Sequence, residues 1–141
     1  SIGKGPFSIV IEGENPLKVW GDGTPIRDFI HARDVARGMM LLVEKGINVP
    51  VNLGSGQGIS IKEIAETIAC NVPGGPVPIE WDTDKPKGDN IRVMDSARAK
   101  QYGFQTSVSI DDGVKETIEW YINNRNMTEI LPKYGRHVDE M

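Results

Sequence analysis

The chain has 141 residues, a length that fits one ordinary domain able to bury a core of its own. Its 38% hydrophobic and 26% charged residues are those of a soluble globular protein, and no apolar run approaches the roughly eighteen residues of a bilayer span. A net charge of −4 excludes a broad basic face for nucleic acid, but not a single pyrophosphate held by one or two well-placed cations.

Cys70 is the only cysteine, so no intrachain disulfide can form, which is compatible with a reducing cytosol. It falls off the apolar stripe of its expected helix and reads as incidental. Residues 1–6 lack the apolar centre of a signal peptide. These features point to a cytoplasmic location and to partners other than membrane or nucleic acid.

In chain order, a Gly-rich start leads to a short apolar run, Phe7 to Ile11. Leu17 to Trp20 reads as a strand, Gly21 to Pro25 as turn chemistry, and Arg27 to His31 as a second strand. Asp34 is placed to cap a helix over Val35 to Lys45, with Val35, Met39, Leu42 and Val43 on one stripe and Gly46 as the stop. Val51 to Leu53 reads as a short buried strand. Ser60 and Glu63 then form a capping box for a helix whose stripe is Ile61, Ile64, Ala65 and Ile68. After the turn cluster Pro73 to Pro76, Val77 to Trp81 is a strand, and the charged loop Asp82 to Asn90 leads into Ile91 to Met94. Asp95 or Ser96 can cap a short helix through Tyr102, stopped by Gly103. Ser109 with Asp112 caps a last helix carrying Ile110, Val114, Thr117, Ile118 and Tyr121, and beyond Asn123 the pattern dissolves. Alternating strands and helices make the class α/β.

Several residues suit a phosphate-bearing ligand. Arg27 follows a turn whose glycines allow close backbone approach, and its guanidinium fork fits bidentate phosphate contact; an ion pair with Asp28 is the structural alternative. Trp20 could stack on a sugar or base, or pack in the core. Asp82 can accept from sugar hydroxyls and Lys85 can neutralise phosphate, or both belong to a solvated loop. Glu80, Asp82, Asp84 and Asp89 lack the ordered spacing of a calcium loop, so no metal is expected. The stretch Gly54-Ser55-Gly56-Gln57-Gly58 imitates a dinucleotide phosphate loop, with Glu80 ending the next strand, but Ile59 stands where the third glycine should be. His31, ending an apolar segment, reads as a hydrogen-bonded core residue rather than a catalytic one, and Arg33 has no evident role.

The two loops, Trp20-Gly21-Asp22-Gly23-Thr24-Pro25-Ile26-Arg27-Asp28-Phe29-Ile30-His31 and Trp81-Asp82-Thr83-Asp84-Lys85-Pro86-Lys87-Gly88 with Arg92, resemble those of the extended short-chain dehydrogenase/reductases, the NAD(P)-dependent epimerases and dehydratases. The resemblance covers roughly residues 16 to 123. It departs at Lys87, where one branch of the family carries an acid, and at Asp89, which matches the epimerase branch. The resemblance implies a C-terminal fragment of an extended Rossmann-type enzyme: a small substrate-binding α/β domain over residues 1–125, with 126–141 as a polar tail and the dinucleotide-binding half missing. It implies that Arg27 contacts the diphosphate of a nucleotide-sugar, that Trp20, Asp82 and Lys85 line the same site, and that the 54–58 turn is structural.

The family's catalytic tyrosine, followed four residues later by lysine, is absent: Tyr102 is followed there by Thr106, Tyr121 by Arg125 and Tyr134 by Val138. NAD or NADP is therefore expected in the full-length parent and none on this fragment, which carries no catalytic residue. Apolar groups such as Phe29, Ile30, Met39 and Met40 would lose the cover of the missing half, so a homo-oligomer is expected. A noncatalytic nucleotide-binding or interaction module is the alternative, and a small dinucleotide binder using Gly54 to Gly58 a third.

Overall fold

A computed structural model of the chain describes residues 10–13, 15–86 and 88–128, with side chains up to 124. The expectations for Phe7 to Ile9, for Lys87 and for residues 129–141 of the tail lie outside the described residues.

Strand β1 (Leu17–Trp20) pairs in parallel with β4 (Ile79–Asp82), with Leu17 opposite Ile79 and Trp20 opposite Asp82. A second sheet has the order β3-β2-β5. Here β2 (Ile26–Asp28) runs antiparallel to β3 (Gly58–Ser60) and parallel to β5 (Ile91–Arg92). Helices among the described residues include α1 (Ala32–Glu44), α2 (Ile61–Asn71), α3 (Ala97–Gln101) and α4 (Ile110–Thr128).

The core forms where three apolar stripes meet. The pleat of β1 turns Leu17 and Val19 inward and Lys18 and Trp20 outward. Helix α2 lays Ile64, Ala65, Ile68 and Ala69 against that face, and Ile118 of α4 closes it from the other side. The expected capping box is present: Ser60 Oγ accepts from Glu63 N–H at 3.1 Å, while Glu63 Oε2 accepts from Ser60 N–H at 2.9 Å. Such a box satisfies two of the donors that a helix start leaves open.

Helix α1 departs from expectation. It begins at Ala32, not Val35, and its cap is His31, whose Nδ1 accepts from Arg33 N–H at 3.2 Å. Asp34 therefore sits in the first turn. Its fully buried carboxylate instead accepts from Ser107 N–H at 2.9 Å, Val108 N–H at 3.0 Å and Ser107 Oγ at 2.8 Å, and Arg37 Nη1 lies at 2.6 Å. Burial pushes this carboxyl up, but the donors around it prevail and hold it down at about 2. His31 is hydrogen-bonded as expected, but as a half-buried cap rather than a core residue. Arg33 gains a role, pairing with Glu116 of α4 at 2.6 Å.

The stripe on α1 also faces differently. Its buried positions are Asp34 and Gly38, the latter so close to Leu53 and Phe104 that a Cβ would come within 2.8 Å of each. Met39, Met40 and Val43 are 58%, 59% and 74% exposed. Phe29 and Ile30 are half-buried, Phe29 packing against the core.

Other differences concern strand ends. Val51 to Leu53 joins no ladder among the described residues; Asn52 only donates its amide to Asp95 C=O at 3.3 Å. The second strand spans Ile26–Asp28 rather than Arg27 to His31, and the fourth runs one residue further than expected, to Asp82. The strand expected over Ile91 to Met94 is only Ile91–Arg92. The short strand Gly58–Ser60 was hidden in what reads as a turn running straight into a helix. Helix α4 continues past Asn123 to Thr128. At the start of α3, Ser96 holds the cap position without a side-chain bond, while Asp95 Oδ1 accepts from Ala97 N–H at 2.9 Å.

Candidate functional site

Three of the four expected ligand residues meet at the C-terminal end of the β1–β4 pair. Trp20 and Asp82 are ladder partners, and Asp82 C=O accepts from Gly21 N–H at 2.8 Å. Trp20 points outward because Leu17 and Val19 point in, which leaves its indole 65% exposed and outside the core of this chain. Lys85 stands over that indole, its ammonium 5.8 Å from the ring centroid.

The Gly21–Thr24 turn is held from beneath. Gly23 has φ +76°, and a Cβ there would stand 2.7 Å from Trp81 and 2.9 Å from Lys62. Glycine is thus required twice at this position, for its backbone angle and for its closeness to Trp81. Asp22 Oδ1 accepts from Thr24 N–H at 3.0 Å and from its hydroxyl at 2.6 Å, closing the turn on itself.

Arg27 lies in the other sheet, in β2, opposite Arg92 of β5 and Ile59 of β3. Its Nη1 donates to Ile26 C=O at 2.8 Å, and no ion pair joins it to a carboxylate of the described residues. The alternative pairing with Asp28 is not what forms. A Cβ on Gly88 would stand 3.4 Å from Arg27 Nη2, so the guanidinium lies beside the far end of the 82–90 loop. That loop starts at Asp82, passes Lys85 and reaches Gly88, so it links the two groups of ligand residues. None of the four lines the apolar groove of about 360 Å³ between α2 and α4, which is bordered by Phe29, Ile30, Ile64, Ile68 and Val114.

Asp28, in sequence only an alternative partner for Arg27, is the best-connected carboxylate of the sheet. Oδ1 accepts from Ser55 N–H at 2.9 Å and from Ser55 Oγ; Oδ2 accepts from Gly56 N–H at 3.0 Å and Met94 N–H at 3.2 Å. Burial pushes its carboxyl up, but these donors outweigh burial and hold it below the ordinary carboxylate range. The arrangement bears directly on the 54–58 turn. The amides that would cradle a dinucleotide's pyrophosphate are engaged by a carboxylate of the chain itself, so this turn does not fit that group. Asp28 occupies the place that an anion would take against the Ser55 and Gly56 amides. Among the described residues no three His, Cys, Asp or Glu side chains come together to hold a metal. No helix of the described residues is long and apolar enough to cross a membrane.

Residues 8–54 match the NAD dependent epimerase/dehydratase family. The chain is 36% identical over 115 residues to GDP-L-fucose synthase 1 of Arabidopsis thaliana, which covers 81% of this chain and 35% of that protein. It is 31% identical over 118 residues to GDP-L-fucose synthase of Escherichia coli (strain K12), covering 77% and 36%. Among solved structures, UDP-glucose 4-epimerase with UDP-glucose, from Thermotoga maritima, superposes with a TM-score of 0.72 at 27% identity, covering 85% of this chain and 38% of that one. The chain thus spans about a third of the length of the curated relatives it matches.

Proposed function

We propose, from the premise that this chain is a member of the family of NAD-dependent epimerases and dehydratases, that it is the sugar-nucleotide-binding portion of a longer enzyme. That enzyme uses NAD or NADP to epimerise, dehydrate or reduce a nucleotide-linked hexose, as a GDP-L-fucose synthase-like protein. The nicotinamide cofactor supplies hydride transfer and binds to a part of the parent outside this chain. Within the chain, Arg27 grips the diphosphate, Lys85 adds a second positive charge, Trp20 offers an apolar face to sugar or base, and Asp82 accepts from hydroxyls. The observation that carries this reading is the guanidinium of Arg27, bound to no carboxylate among the described residues and lying against the loop that bears Asp82 and Lys85. A guanidinium held in a strand, with Nη1 donating to Ile26 C=O and no carboxylate partner among the described residues, suits phosphate oxygens.

A thermal-shift screen with GDP-mannose, UDP-glucose, dTDP-glucose, NAD(H) and NADP(H) tests it. At least one nucleotide-sugar stabilises the chain, neither dinucleotide does, and Arg27→Ala weakens the shift, leaving binding measurable only at higher ligand concentration. An unchanged shift in the variant removes Arg27 from the site, and a shift with NAD(H) alone overturns the reading.

The alternative, a noncatalytic interaction module, is favoured by one observation, the exposed apolar side of α1. We extend the proposal to it: Met39, Met40 and Val43 are covered in the parent, and in the isolated chain they drive self-association. A few hundred Å² of such surface corresponds to several kcal/mol at about 25 cal/mol per Å². A monomer in light scattering at high concentration rules this out.

A further inference from the structure

Strand β5 is two residues long, too short to fix its own register. Two clamps hold it against β2. At one end Ile26 N–H donates to Asn90 C=O at 2.8 Å; at the other, Asp28 Oδ2 accepts from Met94 N–H at 3.2 Å. Between them lie the pairs Ile26 with Ile91 and Arg27 with Arg92. The same carboxylate holds Ser55 and Gly56 on the opposite side of β2. Gly54 makes room for this, since a Cβ there would stand 2.8 Å from Asp28 Oδ2 and 2.6 Å from Met94 Cβ.

We propose that Asp28 is a positioning residue: its carboxylate locks β2, the 54–58 turn and the segment just after β5 into the register that places Arg27 for a nucleotide-sugar's diphosphate. The two neighbours in sequence point to opposite faces of β2, one toward ligand and one into the clamp. A carboxylate is needed because every group facing it is a donor, three backbone amides and one hydroxyl. Asparagine keeps the shape but sets an NH₂ against one pair of these donors. This inference rests on the diphosphate reading of Arg27.

A double-mutant cycle separates the two. The probe is whichever of GDP-mannose, UDP-glucose and dTDP-glucose the chain binds best, with affinity measured by calorimetry for wild type, Arg27→Ala, Asp28→Asn and the double variant. Asp28→Asn weakens binding about tenfold in the wild-type background, the order expected for loss of charge-assisted hydrogen bonds, and less than about twofold once Arg27 is gone. A general structural role would give the same loss in both backgrounds. Unchanged affinity in Asp28→Asn, or equal losses in the two backgrounds, overturns the inference while the loss in Arg27→Ala still upholds the diphosphate reading. If Arg27→Ala binds as well as wild type, or no nucleotide-sugar binds, both fall. Should Asp28→Asn fail to fold by circular dichroism, Ser55→Ala, which keeps the carboxylate and removes the hydroxyl's bonds to Asp28 and Gln57, replaces it in the same cycle, with a smaller loss that likewise vanishes in the Arg27→Ala background.

Discussion

Helices α1 and α2 are both amphipathic by sequence, and they fare differently in the folded chain. Helix α2 hides Ile64, Ala65, Ile68 and Ala69 in the core, where β1 and α4 supply partners. Helix α1 buries a carboxylate and a glycine and leaves Met39, Met40 and Val43 outside. An apolar stripe predicts that a helix will be covered, not what will cover it. Helix α2 finds its partner within this chain; α1 has an apolar side left over, in a chain that spans about a third of the length of the curated relatives it matches.

Substitutions that treat the two helices alike make the contrast measurable. Ile64→Ala opens a cavity in the packed core and is expected to cost about 2–5 kcal/mol in denaturant unfolding, whereas Met40→Ala on α1 stays within about 0.5 kcal/mol. Equal costs would mean that α1 is as well covered as α2.

What α1 does bury, Asp34, gives the next largest effect. Its folded-state carboxyl is held at about 2 against an ordinary value of 3.8. A lowered carboxyl contributes stability above its unfolded value and loses it as pH falls through the folded one. About 2 kcal/mol is therefore present at pH 5 and disappears between roughly pH 4 and pH 2. Melting temperatures followed across that range should fall more steeply for wild type than for Asp34→Asn, the gap closing toward pH 2. A gap that stays constant would show that the carboxylate's charge is not what ties α1 to residues 107 and 108.

The smallest effect on stability falls on the open side. Val43→Lys, at a position 74% exposed, is expected to change unfolding free energy by less than about 0.5 kcal/mol. If this side drives the proposed self-association, the added charge shifts sedimentation toward monomer. Association that persists unchanged would relocate the contact, for instance to the groove between α2 and α4.

Local chemistry was legible wherever cause and effect lie a few residues apart. The Ser60–Glu63 box, the strand Leu17–Trp20 and the spacing of Ile64, Ala65 and Ile68 all appear as read, because a cap spans three residues and a stripe repeats every three or four. The likeness of Gly54–Gly58 to a phosphate loop could be doubted from Ile59, but the carboxylate that engages its amides could not be seen. Asp28 lies 27 residues from Ser55 and 66 from Met94. The same distance hid Asp34, which looks like a cap because residues 107 and 108 are far away in sequence.

The sequence by itself determined the alternation of strands and helices, the capped core helix and the residue types a diphosphate would need. Only the tertiary structure decided which of these groups stand together: Trp20 beside Lys85, Arg27 beside Gly88, and two aspartates turned from neighbours and caps into clamps. The physical reason is that propensity and periodicity act within a turn or two of chain, whereas a buried carboxylate takes its donors from wherever the fold brings them.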